Sequence, residues 1–147
     1  MSSARYHHQA TALADGRALI LGGHAANQYE LSSTELFDPA TLRFQAGAPM
    51  FYRRGSQSLS VLSDGSLYLA GGVNGYLSAA YATAELYDPG LGRSLPSAVL
   101  QKKRGGHSVT ELADDGVLLS GGFFELTAGS AQVSDGIELV YPRGCPR

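Results

Sequence analysis

Three times in this chain a short apolar run stops at a pair of glycines: ALILGG at 18–23, LYLAGG at 67–72 and VLLSGG at 117–122. The first glycines of the pairs, Gly22, Gly71 and Gly121, stand 49 and 50 residues apart. Recurrence at fixed spacing constrains the fold more tightly than composition does. Each repeat must be one supersecondary unit that buries its apolar faces against its neighbours. Apolar runs this short, bounded by glycine on one side and a turn on the other, read as strands buried on both faces.

Around each glycine pair the repeat has the same parts. An arginine opens it (Arg5, Arg54, Arg104), followed by a strand of alternating character over 5–13, 54–62 and 104–112. Thr11, Ser60 and Thr110 share one column of that strand, and Ala10, Leu59 and Val109 share the next. Small and polar side chains suit an inner strand facing a crowded, partly wet axis. Asp15-Gly16, Asp64-Gly65 and Asp114-Asp115-Gly116 then form hairpin turns, where glycine accepts the positive φ of a tight reversal. The buried strand follows. Its glycine pair lets the chain turn out of the sheet, or lets another backbone approach closely. A loop leads to a third strand, STELFDP, TAELYDP or GIELVYP, with Glu35, Glu85 and Glu138 in one column and 11, 12 and 15 residues between glycine pair and glutamate. Asp38-Pro39 and Asp88-Pro89 end it, since proline cannot continue a ladder. A fourth strand is expected over 42–46 and, more weakly marked, over 93–95, with none in the third repeat. The expectation is about eleven strands, the last unit lacking its outermost one.

The glycine pair, the spaced glutamate and the aromatic-Asp-Pro run together resemble the kelch repeat of β-propellers, of the kelch / galactose oxidase-like superfamily. The resemblance covers essentially the whole chain. It implies an all-β, kelch-type β-propeller segment of three four-stranded blades in a single domain: 1–50, 51–100 and an incomplete 101–147. The tryptophan usual after the third strand in that family is replaced by Phe44 and Ser94. Kelch propellers usually close with five to seven blades, so a three-blade arc implies a homo-oligomer or part of a larger propeller. In peptide-binding kelch domains, arginines at the start of the inner strand often contact the ligand.

Composition narrows the function. A net charge of −2 gives no reason to expect nucleic acid or an anionic membrane as partner. No apolar run approaches the roughly 20 residues that span a bilayer. The first repeat starts by Arg5, which leaves no room for a signal peptide, so a cytoplasmic location is expected if the chain is complete. The single cysteine, Cys145, cannot form an internal disulfide. His7, His8, His24 and His107 are the only histidines, and no set of them converges by repeat position on one metal. The copper oxidases of the superfamily that the chain resembles use tyrosines, histidines and a Tyr–Cys cross-link, a constellation that repeat positions do not assemble here. No catalytic residue, metal or cofactor is expected.

An antiparallel meander places the opening arginines and the post-glycine loops on one face, and the Asp-Gly and Asp-Pro turns on the other. Ligand-binding residues are expected at Arg5, Arg54 and Arg104 and, on the loops, at His24, Tyr29, Asn74, Tyr76 and Tyr81. Pairing of the arginines with acidic side chains is an equally weighted alternative. Glu35, Glu85 and Glu138 read as structural, accepting backbone N–H groups where the sheet is interrupted. Phe123 and Phe124 read as packing over the core. The function expected is a non-catalytic binding module for a protein or acidic peptide, with carbohydrate as a further ligand class. A part of a carbohydrate-active enzyme (an oxidase or sugar epimerase), or a structural assembly fragment, is the alternative.

Overall fold

The structure is a computed structural model and describes residues 1–27, 29–73, 79–127 and 130–144. It is all-β, with no helix among the described residues. The first sheet runs in sequence order through β1 (Gln9–Ala12), β2 (Ala18–Leu21), β3 (Thr34–Asp38) and β4 (Arg43–Ala46). The second repeats it with β5 (Ser58–Val61), β6 (Leu67–Ala70), β7 (Ala84–Asp88) and β8 (Arg93–Pro96). The third sheet has three strands, β9 (Ser108–Glu111), β10 (Val117–Ser120) and β13 (Ile137–Val140). All pairings are antiparallel, which short turns make possible. This arrangement is compatible with a β-propeller-like fold.

Among the described residues thirteen strands form, not eleven. The two additional ones, β11 (Phe123–Thr127) and β12 (Ser130–Val133), make a separate hairpin inside the loop of the third repeat. The first strands are also shorter than expected, beginning four residues after each arginine. The intervening residues His7, Ser56 and Gly106 occupy one repeat position and share a left-handed backbone, with φ of 52°, 54° and 58°. That conformation interrupts any strand begun at the arginine.

The core lies between sheets. Leu19, Leu21 and Met50 meet Leu67, Leu69 and Tyr87 between the first and second. Tyr68, Ala70, Ala84 and Leu100 meet Val117 and Leu119 between the second and third. Neighbouring residues of β6 thus pack against opposite neighbours, so all four of its residues are buried. This explains why the sequence shows a continuous apolar run there and no alternation.

The third hairpin turn differs from the other two in one respect. The left-handed position falls on Gly16 and Gly65 in repeats one and two but on Asp115, not Gly116, in repeat three. Aspartate tolerates that region better than most residues. Here its carboxylate also accepts from the Ser63 N–H (2.9 Å) and hydroxyl (2.7 Å) of the neighbouring repeat.

Leu42 is strained in the same way at φ 54°, where the equivalent Gly92 has 59°. Its side chain is three-quarters exposed and adds little packing. A left-handed non-glycine residue costs about 1–2 kcal/mol, partly offset by the chain entropy glycine loses on folding. Leu42→Gly is therefore expected to stabilise the protein by about 0.5–1 kcal/mol, read as a higher urea midpoint with an unchanged m-value.

Candidate interaction face

The opening arginines fold back into their own sheets. Arg5 Nη1 donates to the carbonyls of Gly22 (2.9 Å) and Ser33 (3.0 Å), and Nη2 pairs with Glu35 Oε1 at 2.9 Å. Arg54 donates likewise to the carbonyls of Gly71 and Thr83. Its Nε lies 3.0 Å from Glu85 Oε1, an ion-pair contact in which the N–H is not aimed for a hydrogen bond. Arg104 spans Gly121, Gly136 and Glu138 at 3.2–3.5 Å. All three side chains are buried, Arg54 and Arg104 completely. Each guanidinium thus pins the end of one strand to the start of the third, and its fork supplies the geometry that a lysine could not.

The partner carboxylates close the arrangement. Glu35, Glu85 and Glu138 accept the backbone N–H of Ser2, Phe51 and Gln101 respectively, each at 2.7 Å. This is the structural role expected of them. Burial pushes the Glu35 carboxyl up, but the Ser2 N–H and the Arg5 guanidinium outweigh it and hold it below its ordinary value. Burial lowers the Arg54 guanidinium from its usual range, opposed mainly by Glu85.

The arginine segments and post-glycine loops do share a face. Isolated bridges join Tyr6 to His24, Gly55 to Val73 and Gly105 to Phe123. His24, expected on the surface, is buried. Its ring stacks on Tyr6 (centroids 5.1 Å apart), and Nδ1 lies 3.3 Å from Glu30 Oε1. The ring also fills the space that a Cβ on Gly55 would need. Tyr29 is exposed, and Tyr81 is half-buried with its backbone held by Gly72 and Arg104. Phe123 packs on Gly105 and Gly106, as its packing role requires, while Phe124 is partly exposed. Asn74, Tyr76 and Cys145 lie outside the described residues.

The structure gathers a different group. The three left-handed residues are tied in series: Ser56 N–H donates to the His7 carbonyl (3.0 Å), and Gly106 N–H donates to that of Ser56 (2.8 Å). Beside them opens a hollow of about 370 Å³ lined by His7, His8, Gln57, His107 and Phe123, among others. His8, Gln57 and His107 again share one repeat position. Gln57 donates to the Leu21 carbonyl at 3.1 Å, but among the described residues its Oε1 has no hydrogen-bond partner, nor has His8 Nδ1 or either ring nitrogen of His107. Sequence reasoning missed His7 and Ser56. The available signal was Gly106, whose column marks a position needing positive φ.

Burial, and then the charge of Arg104, push the His107 imidazole down to about 4 from 6.5. The unfolded chain therefore binds a proton that the folded chain refuses. Stability from this residue is complete above about pH 6.5, is lost as pH falls, and levels off near pH 4. A shift of this size corresponds to about 3 kcal/mol across that window. His107→Gln, with the amide that Gln57 has at this position, is expected to flatten the window, measured by urea unfolding at each end of it.

Of the residues expected to bind ligand, then, Tyr29 is exposed, Tyr81 is half-exposed, and Arg5, Arg54, Arg104 and His24 are packed inside. The pairing alternative for the arginines is the one their geometry favours. Among the described residues no group of three or more His, Cys, Asp or Glu side chains is placed to hold a metal ion. Neither the protein-family models nor the curated proteins compared with the chain include a match to it, so its class stands on its own geometry: all-β, antiparallel and compatible with a propeller-like fold.

Proposed function

We propose that the chain is a kelch-type β-propeller segment acting as a non-catalytic binding module for a protein or peptide. Three repeats of one sheet, packed face to face in sequence order, support the propeller reading. The hollow carries the binding reading. Left-handed backbone at the non-glycine residues His7 and Ser56 stores strain beside buried polar atoms that lack partners, a combination that favours a ligand able to supply them. An imidazole-, amide- and aromatic-lined hollow suits a peptide, whose backbone offers both donors and acceptors. With the three repeated arginines neutralised inside, acidic character in the ligand is supported by the exposed Arg53, Lys102 and Lys103.

The test is an array of immobilised peptides, acidic and neutral, probed with the intact chain and followed by titration of binders in solution. Saturable binding that weakens about tenfold or more in His107→Ala or Gln57→Ala, through loss of one or two hydrogen bonds, supports the hollow as the site. Binding untouched by these changes, or no binder in either class, defeats it. A binder that also weakens with added salt supports an acidic ligand.

A further inference from the structure

The contact between neighbouring sheets is made twice inside the chain, and the two halves of a third such contact are left open at its ends. In each internal contact one sheet offers the second and fourth residues of its buried strand together with positions beside its glutamate. The first sheet offers Leu19, Leu21, Thr34 and Leu36; the second offers Tyr68, Ala70, Ala84 and Leu86. The equivalent residues of the third sheet, Leu118, Ser120, Ile137 and Leu139, belong to neither core cluster among the described residues. Ile137 is 74% exposed where Thr34 and Ala84 are 2% and 1%, and Leu139 is 49% exposed. The receiving half consists of Leu59, Leu67, Leu69 and Tyr87 in the second sheet and Val109, Val117, Leu119 and Val140 in the third. Its counterpart in the first sheet is Ala10, Ala18, Ile20 and Phe37, of which Ala10 is exposed, Ala18 and Phe37 are half-buried and Ile20 is buried. Met1 stands where Met50 and Leu100 plug the internal contacts, and is 52% exposed against 3% for each of those.

The polar parts are open in the same sense. Gly23 N–H donates to the Arg54 carbonyl and Gly72 N–H to that of Arg104, and the next member of the series would be Gly122. A Cβ on Gly22 or Gly71 would strike the carbonyl of the following repeat's arginine, whereas one on Gly121 would meet only the Ser134 carbonyl, at 3.8 Å. Gly121 has the same left-handed φ, 67° against 62°, around an empty cradle.

We propose that a second copy of this chain docks its first sheet on the third sheet of the first copy, head to tail. Arg5 of the partner subunit places its carbonyl at Gly122 N–H, His8 of the partner subunit seats against Gly121 as Gln57 and His107 seat against Gly22 and Gly71, and Met1 of the partner subunit covers Ile137. The argument for a second copy is self-complementarity: each open face carries, position for position, one half of a contact this chain already makes. His8 belongs both to this surface and to the lining of the loop-face hollow, but the docking does not depend on a ligand there.

Two exposed positions test it without disturbing the monomer fold. Ile137→Glu disables the third-sheet face, and Ala10→Glu disables the first-sheet face. By sedimentation equilibrium over the micromolar range, the unaltered chain is expected at a mass of at least twice 15.4 kDa. Each variant should associate about 100-fold more weakly or worse, because a carboxylate would be buried unpaired. Because the contact is head to tail, each variant keeps the face the other lacks. An equimolar mixture should therefore recover a one-to-one pair. A monomer throughout for the unaltered chain overturns the proposal. So does association that survives in both variants, or a mixture that stays monomeric while the unaltered chain does not. Circular dichroism matching the unaltered chain confirms that each variant is folded.

Discussion

Arg54→Ala is expected to cost about 3–5 kcal/mol, the effect of removing one partner from a buried ion pair and leaving the other uncompensated. For a chain of this length that is a large part of the total stability. The reason lies in what the guanidinium holds. It satisfies the carbonyls of Gly71 and Thr83, and its Nε sits 3.0 Å from a carboxylate with no exposed surface. Glu85 would retain the Phe51 N–H and the Ser94 hydroxyl but lose its counter-charge. Urea unfolding of Arg54→Met, which restores most of the volume, separates packing from charge. If charge dominates, Arg54→Met should be nearly as unstable as Arg54→Ala, and adding Glu85→Gln should recover stability, because the amide oxygen still accepts from Phe51 with no charge to bury. A loss below about 1 kcal/mol, the range of exposed pairs, would contradict the strut role.

The arginines also show where sequence reading stops. Their column, their level along the meander and the face they share with the post-glycine loops all follow from strand alternation and turn chemistry, which are local. Whether a long side chain projects from that level or folds back depends on acceptors supplied 17 to 29 residues later by Gly71 and Thr83. Glu85, in the same column as Glu35 and Glu138, was legible as an acceptor of backbone N–H but not as the arginine's partner. His24 went wrong for a related reason. Its loop is exposed in general, but Gly55 in the next repeat leaves a space that an imidazole fills. The β11–β12 hairpin had no signal strong enough to read. A two-stranded ribbon outside the main sheets needs little apolar alternation, and Phe123 serves the sheet beside it. The left-handed column at His7, Ser56 and Gly106 was concealed because only one of its three members is glycine. Strain at the other two is invisible to a rule that looks for glycine.

Gly71→Ala and Gly121→Ala should differ sharply although the two glycines share repeat position and backbone. At φ 62° and 67° both substitutions force an L-residue into the left-handed region, costing about 1–2 kcal/mol. At Gly71 the added Cβ also runs into the Arg104 carbonyl, which accepts the Gly72 N–H at 2.9 Å, and into the His107 ring. Backbone cannot step aside there without breaking that bond and shifting the buried Arg104 side chain, itself tied to Gly121, Gly136 and Glu138. Strain and a lost buried hydrogen bond together place Gly71→Ala at about 4 kcal/mol or more, among the largest single-residue effects. Gly121→Ala carries the φ term alone. Both readings of the glycine pair made from sequence, a turn out of the sheet and a close backbone approach, thus hold at Gly71, and the comparison measures the second by itself. Urea midpoints measured at concentrations dilute enough to keep the chain monomeric supply the comparison. Equal losses at the two positions would mean that the carbonyl contact contributes nothing and that glycine is required for its dihedral angle only.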